Sequence, residues 1–244
     1  VMRADLAVAK ALNISRNKAS ELIKASKIKA DDLIILKPCQ NISSEAKISC
    51  DDEIFVSRGA IKLKAFLEFL KNNKSEIAPN LANKCALDIG SSAGGFTQIL
   101  LENGVCSVDC VDVGSSLLAD IIKNDKRVKT HENTDIREFA NSCQQRFALI
   151  TADVSFIALS YIIPSINQLA NDDIIILFKP QFEVGKDAKR SKKGVVNDAL
   201  KITKAKMAFK EQARELGWVL FCEQECAISG KNGNQEIFFY YKKG

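Results

Sequence analysis

The sequence predicts an α/β protein with a doubly wound, mostly parallel sheet, preceded by a small α+β module. Three observations carry this. From residue 85 onward, short apolar runs alternate with helical patterns. A glycine-rich turn, "DIGSSAGGF", joins the first run to the first helix. The first 53 residues instead hold two helical patterns followed by short strand-like runs. A chain of 244 residues can bury one full α/β core and still carry such a module. With 46% hydrophobic and 27% charged residues it reads as globular. No basic start leads into an apolar run, and no stretch approaches the roughly 18 apolar residues of a membrane span. A soluble, cytoplasmic protein is expected.

Residues 3–12 and 16–26 read as two helices, the second capped by Ser15. "KIKADDLIILKP" reads as strand, Asp-Asp turn and strand, and "EAKISCDDEIFV" adds a further strand. Residues 1–30 carry seven cations against Asp5 and Glu21, a net charge of +5, while the remainder of the chain sums to zero. Arg16, Lys24 and Lys27 share one helix face beside the packing face of Ala19, Leu22 and Ile23. That asymmetry points to an anionic partner. Nucleic acid is favoured over membrane because no basic amphipathic helix carries large apolar anchors. We assign Arg3, Arg16, Lys18, Lys24 and Lys27 to RNA contact, against the plainer reading of a solvated face.

At Ser57 the pattern changes: "SRGAIKLKAFLEFL" is a helix with Ile61, Phe66, Leu67 and Leu70 as its apolar positions. Residues 54–83 form a linker and this first helix, and 84–244 the second domain. Its strands are expected at 85–89, 105–112, 128–131, 147–153, 173–179, 218–226 and 236–242. Helices are expected at 95–103, 115–123, 135–142, 157–170 and 198–216. Of eight cysteines, the spaced pairs Cys106/Cys110 and Cys222/Cys226 alternate onto one face of strand-like runs, so reduced, buried thiols are expected. With one histidine and no C-x-x-C, no metal is expected.

The glycine loop lacks the G-x-G-x-x-G spacing of dinucleotide sites, since Gly90 is followed by Ser92, Gly94 and Gly95. Asp112 nonetheless ends the second strand, where an acid can bind ribose hydroxyls. A cofactor with a ribose and no phosphates satisfies both facts, and S-adenosylmethionine is the common one. Nucleotide binding and a purely structural turn remain as alternatives. Asp135, after the third strand, is placed to meet the adenine edge.

A second cluster collects at the same sheet edge. Asp153 ends the fourth strand, Lys179 ends the fifth, and Glu236 begins the last. Each alone reads as a cap or a solvated charge; their shared location argues for a site. Directly after the fifth strand, "KDAKRSKKG" supplies Lys189, Arg190, Lys192 and Lys193. A solvated mobile loop is the plain reading. Its position favours phosphate contacts that order on RNA binding.

These motifs, "SRGAIKL", "DIGSSAGGF", "VDVG", "DVSFI", "KPQFEVG", "KGVV" and "GNQE", resemble the TlyA (hemolysin A) family across essentially the whole chain. The catalytic domain of that family is similar to FtsJ-type ribose 2′-O-methyltransferases. The first module resembles the RNA-binding domain of ribosomal protein S-four, though "ASKIKADD" lacks the glycines usual in its hairpin. The resemblance implies a Rossmann-like methyltransferase domain with S-adenosyl-L-methionine held by Gly90, Ser91, Ser92, Gly94, Gly95, Phe96, Asp112, Val113 and Asp135. It also implies a Lys-Asp-Lys-Glu tetrad: Lys62, Asp153, Lys179 and Glu236. Lys62 enters only this way; its own pattern reads as a solvated helix lysine. Lys179 is expected to deprotonate a ribose 2′-hydroxyl and Lys62 to supply a neighbouring positive charge. Asp153 is expected to bridge the two lysines, and Glu236 to orient the ribose or Lys62. The implied substrate is a cytidine of ribosomal RNA in assembled subunits, with the large subunit favoured and a monomeric enzyme expected. The rivals are an RNA-binding assembly factor without turnover, which the intact tetrad disfavours, and a pore-forming lysin, which no apolar span supports. A dehydrogenase is disfavoured by the loop spacing.

Overall fold

The structure is a computed structural model, and it describes every residue except Asn13 and Lys231. The N-terminal module runs β1 (Met2–Arg3), α1 (Ala4–Ala11), α2 (Arg16–Lys24), β2 (Ile28–Ala30), β3 (Leu33–Ile34), β4 (Asn41–Ile42) and β5 (Ile48–Cys50). Ala4, Val8, Ala19, Leu22 and Ile23 bury the helices against Ile28 and Ile35. The Ser15 hydroxyl accepts from the Lys18 N–H and fixes the start of α2. Between β2 and β3, Asp31 and Asp32 take φ of 48° and 65°. Asp tolerates this left-handed geometry, so the hairpin turns without glycine. The pairing of β1 with β4 was not foreseen, because two-residue strands leave no alternation to read.

The charge asymmetry of the first 30 residues is largely folded away. Asp5, 3% exposed, pairs with both Arg3 and Arg16. Lys27 lies 2.9 Å from Asp52, and Lys29 lies 2.6 Å from Asp51. Residues 1–53 hold nine cations against eight carboxylates, so the module is segregated in charge rather than strongly basic.

The second domain begins with α3 (Arg58–Asn73) and continues β6 (Cys85–Ile89), α4 (Gly95–Glu102), β7 (Ser107–Val111), α5 (Asp120–Lys123), β8 (Val128–His131), α6 (Ile136–Ser142) and β9 (Phe147–Ala152). A 3₁₀ turn at Leu159–Tyr161 leads to α7 (Ile163–Leu169), β10 (Ala170–Phe178), α8 (Pro180–Glu183), α9 (Ala199–Glu215), β11 (Trp218–Glu225) and β12 (Ile237–Lys243). The seven strands are ordered β11-β12-β10-β9-β6-β7-β8. Among the described strands of this sheet, β12 alone runs opposite in direction to the other six. The nearly all-apolar strands are buried on both faces, one under α6, α7 and α9 and the other under α3 and α4.

Several elements differ from expectation. The helix expected at 115–123 shortens to α5, because Ser116 takes a left-handed φ of 54°. The helix expected at 157–170 starts late, since Pro164 lacks an N–H and belongs in the first turn of α7. Cys106 precedes β7 and is exposed, so the expected burial of both Cys106 and Cys110 fails. Cys222 and Cys226 are buried. On α3 the buried face is Ala60, Lys62, Leu63, Phe66 and Leu70, while Ile61 is 37% exposed. The apolar isoleucine misplaced that face by one residue, and the lysine read as solvated is the buried one.

Candidate active site

Strand order reverses around β6, which has β7 on one side and β9 on the other. A crevice at the carboxyl ends of these strands is the natural ligand site of a doubly wound sheet. The glycines of the loop clear room for neighbouring parts of the protein, and Gly90 and Gly95 also line cavities. A Cβ on Gly90, at φ of 76°, would stand 2.8 Å from the Asp153 carbonyl oxygen. A Cβ on Gly95 would stand 2.0 Å from Ser57 Oγ and 2.7 Å from the Ala60 nitrogen, so this glycine lets α3 lie against α4. Gly94 at φ of 86° clears Leu118 and Ile122. Beneath the loop Asp88 is fully buried. It accepts from the Thr97 N–H and hydroxyl and from the Thr151 hydroxyl, which ties β6 to α4 and β9. Burial pushes its carboxyl up to about 6 against those hydrogen bonds.

A cavity of about 390 Å³ opens beside the loop. Ile89, Val111, Leu117, Ile136 and Ile162 give it apolar walls, and Gly90, Ser92, Asp112, Val113, Asp135 and Asp153 line it too. Asp112 accepts from the Ser92 and Gly114 N–H groups, each at 2.8 Å, which aims its carboxylate from the end of β7. An apolar slot with a carboxylate at the end of β7 fits an adenosyl group, ring in the slot and ribose hydroxyls on the acid. Asp135 is at the cavity, but it caps α6 and both its oxygens meet the Arg137 guanidinium, which holds its carboxyl below the usual range. Ser91 is buried in an adjoining cavity of about 570 Å³. Phe96 lines that cavity too and stacks on Phe238 in the core.

That adjoining cavity holds Lys62, Asp153, Ser155 and Lys179. Lys62 Nζ donates to Glu236 Oε2 at 2.5 Å, with both side chains less than a tenth exposed. Lys179 Nζ lies 2.6 Å from Asp153 Oδ1 and donates to Ser155 Oγ at 2.9 Å. The tetrad is therefore two ion pairs, and Asp153 does not bridge the lysines. Ser155 went unforeseen as a member; its place in "DVSF", two residues past Asp153, was the signal.

A third cavity, about 390 Å³, lies outside the pairs and is lined by Lys62, Lys179, Glu236, Gln181, Arg190 and Phe156 among others. Phe156 is 91% exposed at a left-handed φ of 65°, its ring 5.1 Å from that of Phe182. The basic segment after α8 is folded. Arg190 donates to the Gln181 and Gly185 carbonyls, and Asn234 receives the Val196 N–H. Lys189, Lys192 and Lys193 are exposed on it. In the N-terminal module Lys24 is exposed, whereas Lys18 is half-buried and reaches Glu21.

A doubly wound sheet with an adenosyl-shaped slot at the strand-order reversal, opening onto paired lysines and carboxylates, defines a nucleoside-cofactor transferase. The chain belongs to the FtsJ-like methyltransferase family, whose model matches residues 55–243. It is 45% identical to the 23S rRNA (cytidine-2′-O)-methyltransferase TlyA of Campylobacter jejuni, over 99% of this chain and 100% of that protein. It is 36% identical to the 16S/23S rRNA (cytidine-2′-O)-methyltransferase TlyA of Mycobacterium tuberculosis, over 96% of this chain and 87% of that protein. A solved hemolysin-type structure from Streptococcus thermophilus superposes with a TM-score of 0.70 at 27% identity, covering 99% of this chain and 88% of that one.

Proposed function

We propose that this protein is a monomeric, cytoplasmic methyltransferase that transfers a methyl group from S-adenosylmethionine to the ribose 2′-hydroxyl of a cytidine in assembled ribosomal subunits, the large subunit being its target. The observation that carries this is the junction of the adenosyl-shaped slot with two buried lysine–carboxylate pairs. Gly90 and Asp153 line the slot, and Asp153 and Lys179 line the cavity next to it. The likeness to relatives named as rRNA cytidine-2′-O-methyltransferases supports the substrate class.

The bound cofactor supplies an electrophilic methyl on a sulfonium. Asp112 would accept from its ribose hydroxyls, and Asp153, which lines both cavities, would place negative charge near the sulfonium. A ribose hydroxyl is a poor nucleophile until its proton is removed and its oxygen is aimed at the methyl. Lys179 Nζ takes that proton once the ammonium has given its own up to solvent, while Asp153 and Ser155 fix its position. The sulfonium would give up its methyl to the oxygen so aimed, leaving as the neutral thioether, and the hydroxyl proton would leave on Lys179. Lys62 sets a second positive charge beside the reacting oxygen, and Glu236 holds Lys62. Residues 1–53, together with Lys189, Arg190, Lys192 and Lys193, bind RNA phosphates.

The test is mass-spectrometric mapping of 2′-O-methyl groups in 16S and 23S rRNA after incubating purified subunits with protein and cofactor. A new methylated cytidine in 23S rRNA is expected. No methylation on either subunit would overturn the proposal. Removing residues 1–53 should weaken subunit binding, most at low salt where the lost phosphate contacts count most, while cofactor affinity holds. Equal subunit affinity without them would refute the domain assignment.

A further inference from the structure

Gln181 is left with unused hydrogen-bonding capacity at a place where the reaction needs recognition. Its Nε2 donates to Glu236 Oε1 at 3.3 Å. A carboxylate only accepts, so the orientation of the Gln181 amide is fixed with Oε1 on the far side. That Oε1 is buried and has no hydrogen-bond partner. A buried acceptor without a donor is costly, and in a cavity it marks where a ligand donor is to sit. Gln181 lines the cavity of about 390 Å³ that also holds Lys62, Lys179 and Glu236. Arg190 stands next to it: the guanidinium donates to the Gln181 main-chain carbonyl at 3.1 Å and to Gly185 at 2.9 Å through a single nitrogen. Its remaining N–H groups are left for a ligand, and the side chain is exposed on the same cavity. Of the other two amides there, Asn234 is already engaged by Val196 and Gly194, and Asn232 is exposed.

Resting on the function proposed above, we infer that Gln181 and Arg190 read the base of the target nucleotide and select cytosine over uracil. With the ribose hydroxyl at Lys179, the base lies in this outer cavity. An acceptor at Gln181 Oε1 beside donors on Arg190 complements the 4-amino group and N3 of cytosine. Uracil inverts both positions: its O4 faces an acceptor and its N3–H faces a donor. The buried Gln181 Oε1 is then left unpaired, the situation in which polar sites discriminate most strongly.

The test uses two sets of ribosomal subunits, one with the mapped target cytidine and one with uridine at that position, under single-turnover conditions. Wild-type protein is expected to methylate cytidine about tenfold to hundredfold faster than uridine. Gln181→Met, which keeps the size and removes both hydrogen bonds, should bring the two rates within about threefold of each other, chiefly by slowing cytidine. If Gln181 only props Glu236, the variant slows both substrates equally and the ratio survives, which overturns the inference. Equal rates in the wild type overturn it whether or not the variant folds. Absence of any methylation of the cytidine subunits by wild-type protein would instead refute the methyltransferase reading, and this inference with it.

Discussion

Lys179 Nζ lies 2.6 Å from Asp153 Oδ1, yet its aligned hydrogen bond goes to Ser155 Oγ, 2.9 Å away. The ion pair holds the charge and the hydroxyl holds the direction. A lysine side chain has four rotatable bonds, so one fixed acceptor narrows where its nitrogen waits. Ser155→Ala should therefore slow methyl transfer by roughly tenfold to a hundredfold, the worth of one hydrogen bond to a charged group. Cofactor affinity should not move. Calorimetry and single-turnover rates check this together; an unchanged rate would mean Asp153 alone positions the lysine.

Replacing Lys179 removes the base itself. Lys179→Ala should cost about 10²–10⁴ in rate. Lys179→Arg should be nearly as poor, since a guanidinium keeps its proton. Both variants should bind cofactor and subunits as the wild type does. Near-normal turnover by the arginine variant would show that position 179 needs only positive charge.

Asp112 carries two loads, because its carboxylate also receives the Ser92 and Gly114 N–H groups. Asp112→Ala should weaken S-adenosylmethionine binding by about tenfold to a hundredfold. Asp112→Asn keeps one acceptor oxygen and should lose less. Unchanged cofactor affinity in the alanine variant, measured by calorimetry, would make this acid purely structural.

The sheet was legible because its strands are short apolar runs separated by helical periods, a pattern that local residues dictate. Asp153, Lys179 and Glu236 were legible for a related reason: each flanks a strand, so topology alone brings them to one edge. Lys62 was not, since its burial depends on Gly95 admitting α3 to within contact of α4, a fact of packing with no local signature. Gln181 was missed because α8 is a single four-residue turn that begins at Pro180. The basic front of residues 1–30 overstates the module's net charge for the opposite reason: Asp51 and Asp52, which pair with Lys29 and Lys27, come from the far end of the module.

Asp88 gives the fold a pH dependence of unusual sign. Its folded carboxyl titrates at about 6, raised by burial from an ordinary 3.8. Between those values the folded state keeps a proton that the unfolded chain has released. Stability contributed by this group therefore falls as pH rises from about 4 to about 6, then stays level, a loss on the order of 2–3 kcal/mol. Asp88→Asn should remove the loss without dismantling the site. The amide oxygen can replace the carboxylate oxygen that receives the Thr97 N–H and hydroxyl, and the amide nitrogen can donate to the Thr151 hydroxyl, which accepts as readily as it donates. Other carboxylates titrate in the same range, so the informative quantity is the difference between variant and wild type in urea unfolding at successive pH values. That difference should shift toward the variant by on the order of 2–3 kcal/mol between pH 4 and pH 6 and be constant above. A difference that is flat across the window would mean Asp88 is ionised throughout and its burial is offset by the three hydrogen bonds it accepts.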